Sequence, residues 1–157
     1  MVEFGRNYYR DRVLRMDSIV KLMQTDEEIM STFRTIKQLR PHLIEDDFLE
    51  KIKRMQATYG YHLVAVIEDD EVKAAAGYRV TESLAWGKYF YVDDLITDEG
   101  SRRKGYAKNL LEWLIEQAKG NGCEQFHLDS GVHRYDAHRF YLKGGLDITC
   151  HHFQMSL

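Results

Sequence analysis

The sequence is poor in proline, in cysteine and in long apolar runs. It has 1 proline and 2 cysteines among 157 residues, and no apolar stretch approaches the ~20 residues that a membrane helix needs. The single proline and the lack of Gly/Ser-rich linkers or repeats exclude a chain divided into modules. Cys123 and Cys150 are too few for a disulfide framework and favour a reducing, cytoplasmic compartment.

A surplus of positive charge is also absent. The chain has 22 Lys and Arg against 25 Asp and Glu, for a net charge of -3. A dedicated nucleic-acid binder usually carries a basic surplus, so this balance argues against such a partner. The first residues contain no apolar segment of the kind found in signal peptides, and we expect no secretion signal.

What is present is the composition of a globular domain, with 44% hydrophobic and 30% charged residues. Residues 1–15 differ from the rest because they are basic and aromatic with little periodicity. We interpret them as an N-terminal extension, either native or foreign to the natural chain, or as a poorly ordered segment. A single domain is predicted over residues 16–157.

Periodicity predicts the first half of the fold. Residues 18–23 form a strand, and Thr25 with Glu28 makes a capping box for a helix that Pro41 stops. A second helix begins at Asp46 or Asp47 and ends at Gly60. Strands are then predicted over residues 61–68, 72–81 and 88–97, the first two joined by a tight hairpin.

The second half begins with the clearest pattern in the chain. Apolar residues from Ala107 to Ala118 recur at helical spacing. A strand over 125–130, a helix over 134–143 and a last strand from about 147 to 155 follow. The order βααβββαβαβ predicts an α/β (α+β) fold with a mixed central sheet flanked by helices on both faces.

The segment SRRKGYAK, residues 101–108, has four basic residues and no acid in a net acidic chain. It lies where a predicted strand ends and the best-patterned helix begins. Free N–H groups and the macrodipole at a helix start favour anions, and Gly105 leaves room for a phosphate to approach. A phosphate cradle and a solvated basic helix start are both open interpretations of this segment.

These residues resemble a known family. Arg102-x-x-Gly105-x-Ala107 is similar to the acetyl-CoA signature of the GNAT superfamily of N-acetyltransferases, and Ala137-x-x-Phe140-Tyr141-x-x-x-Gly145 resembles a second segment of that family. The predicted element order also resembles the GNAT order. The sequence departs from the family pattern at Arg134, where asparagine is common, and at Leu146, which replaces phenylalanine.

The resemblance implies a binding site for acetyl-CoA. Backbone groups of Leu95, Ile96 and Thr97 would meet the pantetheine arm like an added strand. The pyrophosphate would be held, chiefly by backbone amides, by a run of six residues: Arg102, Arg103, Lys104, Gly105, Tyr106 and Ala107.

The resemblance also implies acid–base roles. Tyr141 takes the position of a tyrosine that protonates the leaving thiolate, with core packing as the alternative. Asp93 would accept the proton of the amine, as an acid does at the similar position of polyamine acetyltransferases. Asp94, Glu82 or water alone are the alternatives, and strand alternation predicts that only one of the adjacent pair, Asp93 or Asp94, faces the acceptor.

The predicted function is direct transfer of an acetyl group from acetyl-CoA to a primary amine of a small molecule or peptide in a ternary complex. The acids Glu45, Asp46, Asp47 and Glu50 favour a cationic amine, although helix capping explains them equally. A non-catalytic acyl-CoA-binding module and a toxin-like acetyltransferase acting on aminoacyl-tRNA are the alternatives. The resemblance to the family makes a homodimer possible. The spacings of the histidines predict no metal site.

Overall fold

The computed structural model describes residues 17–157. Their elements, in chain order, are β1 (Ile19–Leu22), α1 (Asp26–Ser31), α2 (Phe33–Leu39), α3 (Glu45–Tyr59), β2 (His62–Glu68), β3 (Glu71–Ser83), β4 (Gly87–Thr97), a 3₁₀ turn (Glu99–Ser101), α4 (Tyr106–Gly120), β5 (Gln125–Leu128) and α5 (Tyr135–Lys143). The predicted extension over residues 1–15 lies outside the described residues.

Local hydrogen bonds explain where the first helices begin and break. The Thr25 hydroxyl accepts a hydrogen bond from Glu28 N (3.2 Å), and the Glu28 carboxylate accepts one from Thr25 N (3.0 Å), which confirms the predicted capping box. The single helix predicted up to Pro41 is divided at Thr32. The Thr32 hydroxyl donates to the Ile29 carbonyl (2.7 Å), a local bond that competes with the helical pattern.

The predicted cap of α3 was wrong. Its N-cap is Ile44, which makes no side-chain cap bond, and the acids Glu45, Asp46 and Asp47 all lie in the first turn. Carboxylates there stabilise the positive end of the helix without capping it. Gly60, with φ 66°, ends this helix in the left-handed conformation that glycine adopts without strain.

The sheet has the strand order β1-β2-β3-β4-β5. The first four strands pair antiparallel, and Asp69 and Asp70 both take positive φ in the tight turn between β2 and β3, as predicted. Leu63, Ala65 and Ala75 face a core built with α1, α2 and α3. The alternate residues face the opposite side, where Tyr78 packs its ring against Trp113 of α4.

The residues divide into two compact units, the first ending at His127 and the second spanning Leu128–Leu157. The second unit contains α5, which begins and ends close to the predicted bounds. The last strand predicted from about 147 to 155 is wrong, because no strand forms there. Its apolar side chains are exposed, Phe153 by 90% and Met155 by 82%, and strand propensity without a hydrogen-bonding partner does not make a strand.

The fold class is therefore the predicted one, a five-stranded mixed sheet with helices on both faces. Within residues 17–157, none of the helices has the length and apolar character needed to cross a bilayer.

Candidate functional site

The loop between β4 and α4, residues 98–105, has an unusual backbone. Arg103 adopts φ 63° and Gly105 adopts φ 88°, so two positions take the left-handed conformation within three residues. Gly105 is the N-cap of α4, and no neighbouring atom lies within 4 Å of the place where its Cβ would be. Arg102, Arg103 and Lys104 are exposed. We call residues 98–105 the β4–α4 loop.

The start of α4 supplies donors to this loop. The first N–H groups of a helix have no partner within it, and the Gly105 carbonyl accepts the first helical bond, from Asn109 N (3.1 Å). Ala107 is half-buried and adds little bulk. Exposed cations, left-handed turns and free amides are the features that hold a phosphate group.

The side chain of Tyr106 is engaged inside the protein. Its side chain is 8% exposed and its hydroxyl donates to the Glu68 carboxylate at the end of β2. Burial and this bond raise the pKa of Tyr106 to about 12. The side chain anchors the helix start, and the backbone N–H has no partner within the helix.

The segment of β4 that the sequence assigned to the pantetheine arm has one paired and one open edge. Leu95, Ile96 and Thr97 pair with Ala76, Ala75 and Ala74 of β3. On the other side, β5 is 4 residues long and begins beside Lys88, whose carbonyl accepts from Glu124 N (2.7 Å). Within the described part of the chain, no strand covers that edge of Leu95–Thr97, so its backbone can bind an extended ligand.

A β-bulge brings Asp93 and Asp94 onto the same face. The register pairs Gly77 with Asp94 and Tyr78 with Val92, leaving Asp93 as an extra residue in β4. The alternation behind the prediction that only one of the two acids faces the acceptor is therefore interrupted at this point of β4.

Each of the two carboxylates has an arginine partner. Both oxygens of Asp93 accept from Arg79, at 2.8 and 2.7 Å. Asp94 accepts from Arg40 Nε (2.8 Å) and from the Tyr61 hydroxyl (2.9 Å). Arg40 also donates to the Asp93 carbonyl (2.9 Å), so one guanidinium spans the bulge.

Tyr61 is a neutral donor in this network. It is 3% exposed, and burial together with the Asp94 charge raises its pKa well above the ordinary value. Glu82 lies elsewhere in the same pair of strands, exposed and opposite Lys88. The structure thus groups Asp93 and Asp94 and leaves Glu82 outside the cluster.

Tyr141 lies on α5 in the second unit. It is half-buried and its ring contacts that of Phe140 edge-on, with centroids 5.5 Å apart. Burial raises the pKa of its hydroxyl, so this phenol is protonated at neutral pH and can act as a proton donor.

Sequence reasoning missed four polar residues: Gln38, Arg40, Tyr61 and Arg79. None belongs to a motif. Arg40, Tyr61 and Arg79 bind the two acids of β4, and Gln38 binds the residues just after that strand. The signal for the cationic partners was the presence of two adjacent acids, which need such partners when partly buried. Within residues 17–157, no three His, Cys, Asp or Glu side chains gather as metal ligands.

Comparisons with known proteins agree on one family. Residues 22–145 match the family model described as Acetyltransferase (GNAT) family. The chain is 30% identical over 136 residues to the uncharacterized N-acetyltransferase YhdJ of Bacillus subtilis (strain 168), covering 86% of this chain and 96% of that protein. It is 32% identical over 88 residues to glucosamine 6-phosphate N-acetyltransferase 1 of Oryza sativa subsp. japonica, over 53% of each protein.

The fold is shared with solved structures. One is a GNAT family acetyltransferase of Staphylococcus aureus subsp. aureus USA300_TCH1516, with TM-score 0.77 and 20% identity over 90% of this chain and all of that one.

Proposed function

Since the chain belongs to the GNAT family of acetyltransferases, we propose that it transfers the acetyl group of acetyl-CoA directly to a primary amine in a ternary complex. The observation that carries this proposal is the β4–α4 loop beside an open strand edge. The loop suits the pyrophosphate, and the edge of Leu95–Thr97 suits the amide-bearing pantetheine arm.

Tyr141 is the proposed general acid. The amine nitrogen forms a bond to the acetyl carbon, the bond between that carbon and the CoA sulfur breaks, and the departing thiolate needs a proton. A phenol can supply it, because the thiol, with a pKa near 8.5, holds the proton at neutral pH. The raised pKa of Tyr141 keeps the donor protonated at neutral pH, and the phenolate left after the transfer regains its proton from solvent.

Asp93 is the proposed base, accepting the proton of the amine through a water molecule. Its two oxygens have about four lone pairs, of which the two Arg79 bonds use two. Arg79 engages both oxygens of Asp93, and Asp94, Glu82 and water alone are the alternatives. Asp93→Asn, Asp94→Asn and Glu82→Gln, compared in one assay, decide among the three carboxylates, and water alone is the base if none of them matters. The true base is the one whose loss removes the acidic limb of the pH profile of kcat/KM.

The proposed acceptor is the amine of a small molecule. The rice relative is, by its name, an enzyme acting on glucosamine 6-phosphate, which supports an amino sugar as one member of the test panel. The exposed acids in the first turn of α3 support a cationic amine as another. Cys123 and Cys150 are free thiols, which supports a reducing, cytoplasmic site of action.

The test follows thiol release from acetyl-CoA with spermidine, glucosamine 6-phosphate, an aminoglycoside, amino acids and a lysine-rich peptide. We expect turnover that depends on one amine class and falls by about 100-fold in Tyr141→Phe. Tyr135→Phe, an exposed tyrosine on the same helix, is the matched control and should keep wild-type turnover. Unchanged turnover in Tyr141→Phe contradicts the role of general acid, and failure to bind acetyl-CoA contradicts the function.

A further inference from the structure

We infer that Gln38, on α2 and outside every family motif, is a positioning residue for the pyrophosphate of CoA. It acts by holding the first residues of the β4–α4 loop in place. The inference rests on the proposed function of that loop.

The side-chain amide of Gln38 makes two complementary bonds. Its Nε2 donates to Asp98 Oδ1 (2.8 Å), and its Oε1 accepts from Glu99 N (2.9 Å). Both polar atoms of the amide therefore bind adjacent residues at the start of the loop, 60 and 61 positions further along the chain. Such a pair fixes the orientation of the amide and the position of the loop together.

Asp98, held by Gln38, in turn holds the next residues of the loop through its own hydrogen bonds. Its second oxygen accepts from Gly100 N (3.1 Å), its carbonyl accepts from Ser101 N (2.8 Å), and its own N–H donates to the Lys73 carbonyl of β3 (2.9 Å). The turn before Arg102 is thus fixed by α2, by β3 and by its own hydrogen bonds.

The far end of the loop has an anchor of its own. Tyr106, the residue after Gly105, is tied through its hydroxyl to Glu68 of β2. The positions between the two anchors, Arg102 to Gly105, are exposed and can contact a ligand. A loop held in its binding conformation loses less entropy when the ligand arrives, which increases affinity.

Two variants remove the bonds of Gln38. Gln38→Met keeps the length of the side chain and removes both bonds. Gln38→Glu replaces the donor by a carboxylate oxygen beside the Asp98 carboxylate, and the two like charges repel each other. Gln56→Met, at a half-buried glutamine of α3, is the matched control.

Calorimetric titration with CoA and with adenosine 3′-phosphate 5′-diphosphate, the half of CoA that carries the pyrophosphate, tests the inference. We expect Gln38→Met to raise both Kd values by about 10-fold, as the loss of two hydrogen bonds allows, and Gln56→Met to leave both unchanged. An unchanged Kd for the fragment overturns the inference, and so does an equal weakening in Gln56→Met.

Hydrogen exchange of the unliganded protein gives an independent reading. The Glu99 amide should exchange faster in Gln38→Met than in the wild type, and at the wild-type rate in Gln56→Met. If the wild type fails to bind CoA, the proposed function fails, whereas binding by the wild type with no effect of Gln38→Met refutes only the positioning role.

Discussion

At the scale of the residue, position 77 requires glycine because the Tyr61 side chain packs against it, and not because of its backbone conformation. A Cβ placed there would lie 1.7 Å from the Tyr61 hydroxyl oxygen. Glycine therefore creates the space in which Tyr61 reaches Asp94 across the sheet. The sequence does not predict this contact. A glycine inside an apolar strand is also typical of an ordinary β-bulge, so Gly77 by itself does not indicate a tyrosine packed against it.

We expect Gly77→Ala to displace the Tyr61 ring and break its bond to Asp94. Overpacking of a filled core costs about 1–3 kcal/mol, so the free energy of unfolding should fall by about 2 kcal/mol in urea titrations. Gly120→Ala, where nothing lies within 4 Å of the new Cβ, is the matched control and should cost nothing. Equal stability of the two variants would contradict the tight fit.

At the scale of the element, the capping box of α1 makes stability depend on acid pH. Hydrogen bonds from Lys21 and from the Gln24 and Thr25 backbone lower the pKa of Glu28 to about 2, from an ordinary 4.5. The unfolded chain binds the proton more readily than the folded one. Glu28 therefore contributes its full share to the free energy of unfolding above about pH 4.5, and this contribution disappears as the pH falls toward 2.

We expect Glu28→Gln to melt below the wild type at pH 7, and the gap between the two to close between about pH 4.5 and 2. Thermal melts across that range measure it. Glu27→Gln, which removes an exposed charge in the same helical turn without a cap bond, should show a gap that does not follow this profile. A gap for Glu28→Gln that is constant with pH would refute the role of the cap.

The β4–α4 loop gives a second prediction for an element. Gly105 and Gly60 both have positive φ, 88° and 66°, with nothing within 4 Å of a new Cβ. Gly105→Ala and Gly60→Ala should each lose about 1 kcal/mol of stability from backbone strain alone. Only Gly105→Ala should weaken CoA binding in calorimetry. Equal CoA affinity in the two variants would show that the loop does not contact the ligand.

At the scale of the whole molecule, the proposed direct transfer of the acetyl group from acetyl-CoA to the amine does not pass through an acetylated enzyme. Cys123 is half-buried, and burial raises the pKa of its thiol, which disfavours the nucleophilic thiolate. We expect the double variant Cys123→Ala/Cys150→Ala to keep kcat within about twofold of the wild type. Radiolabelled acetyl-CoA without an amine should leave no label on the wild-type protein. A labelled cysteine would establish the covalent route instead.

The sequence was sufficient where the signal is local. The capping box of Thr25 and Glu28, the left-handed stop at Gly60 and the apolar stripe of α4 follow from bonds and contacts between residues near each other in the chain. The signature from Arg102 to Ala107 is local in the same sense, and with the Phe140-Tyr141 segment it identified the family.

Only the tertiary structure decided the features that depend on distant partners. The bulge at Asp93 arises from the pairing of β3 with β4. Arg40 and Arg79 bind the two acids at that bulge, and Gln38 binds Asp98, 60 positions along the chain. The last predicted strand failed for the same reason, since a strand exists only where a neighbour supplies its hydrogen bonds. The sequence thus determined most of the elements and the family, and long-range packing determined how the site is held together.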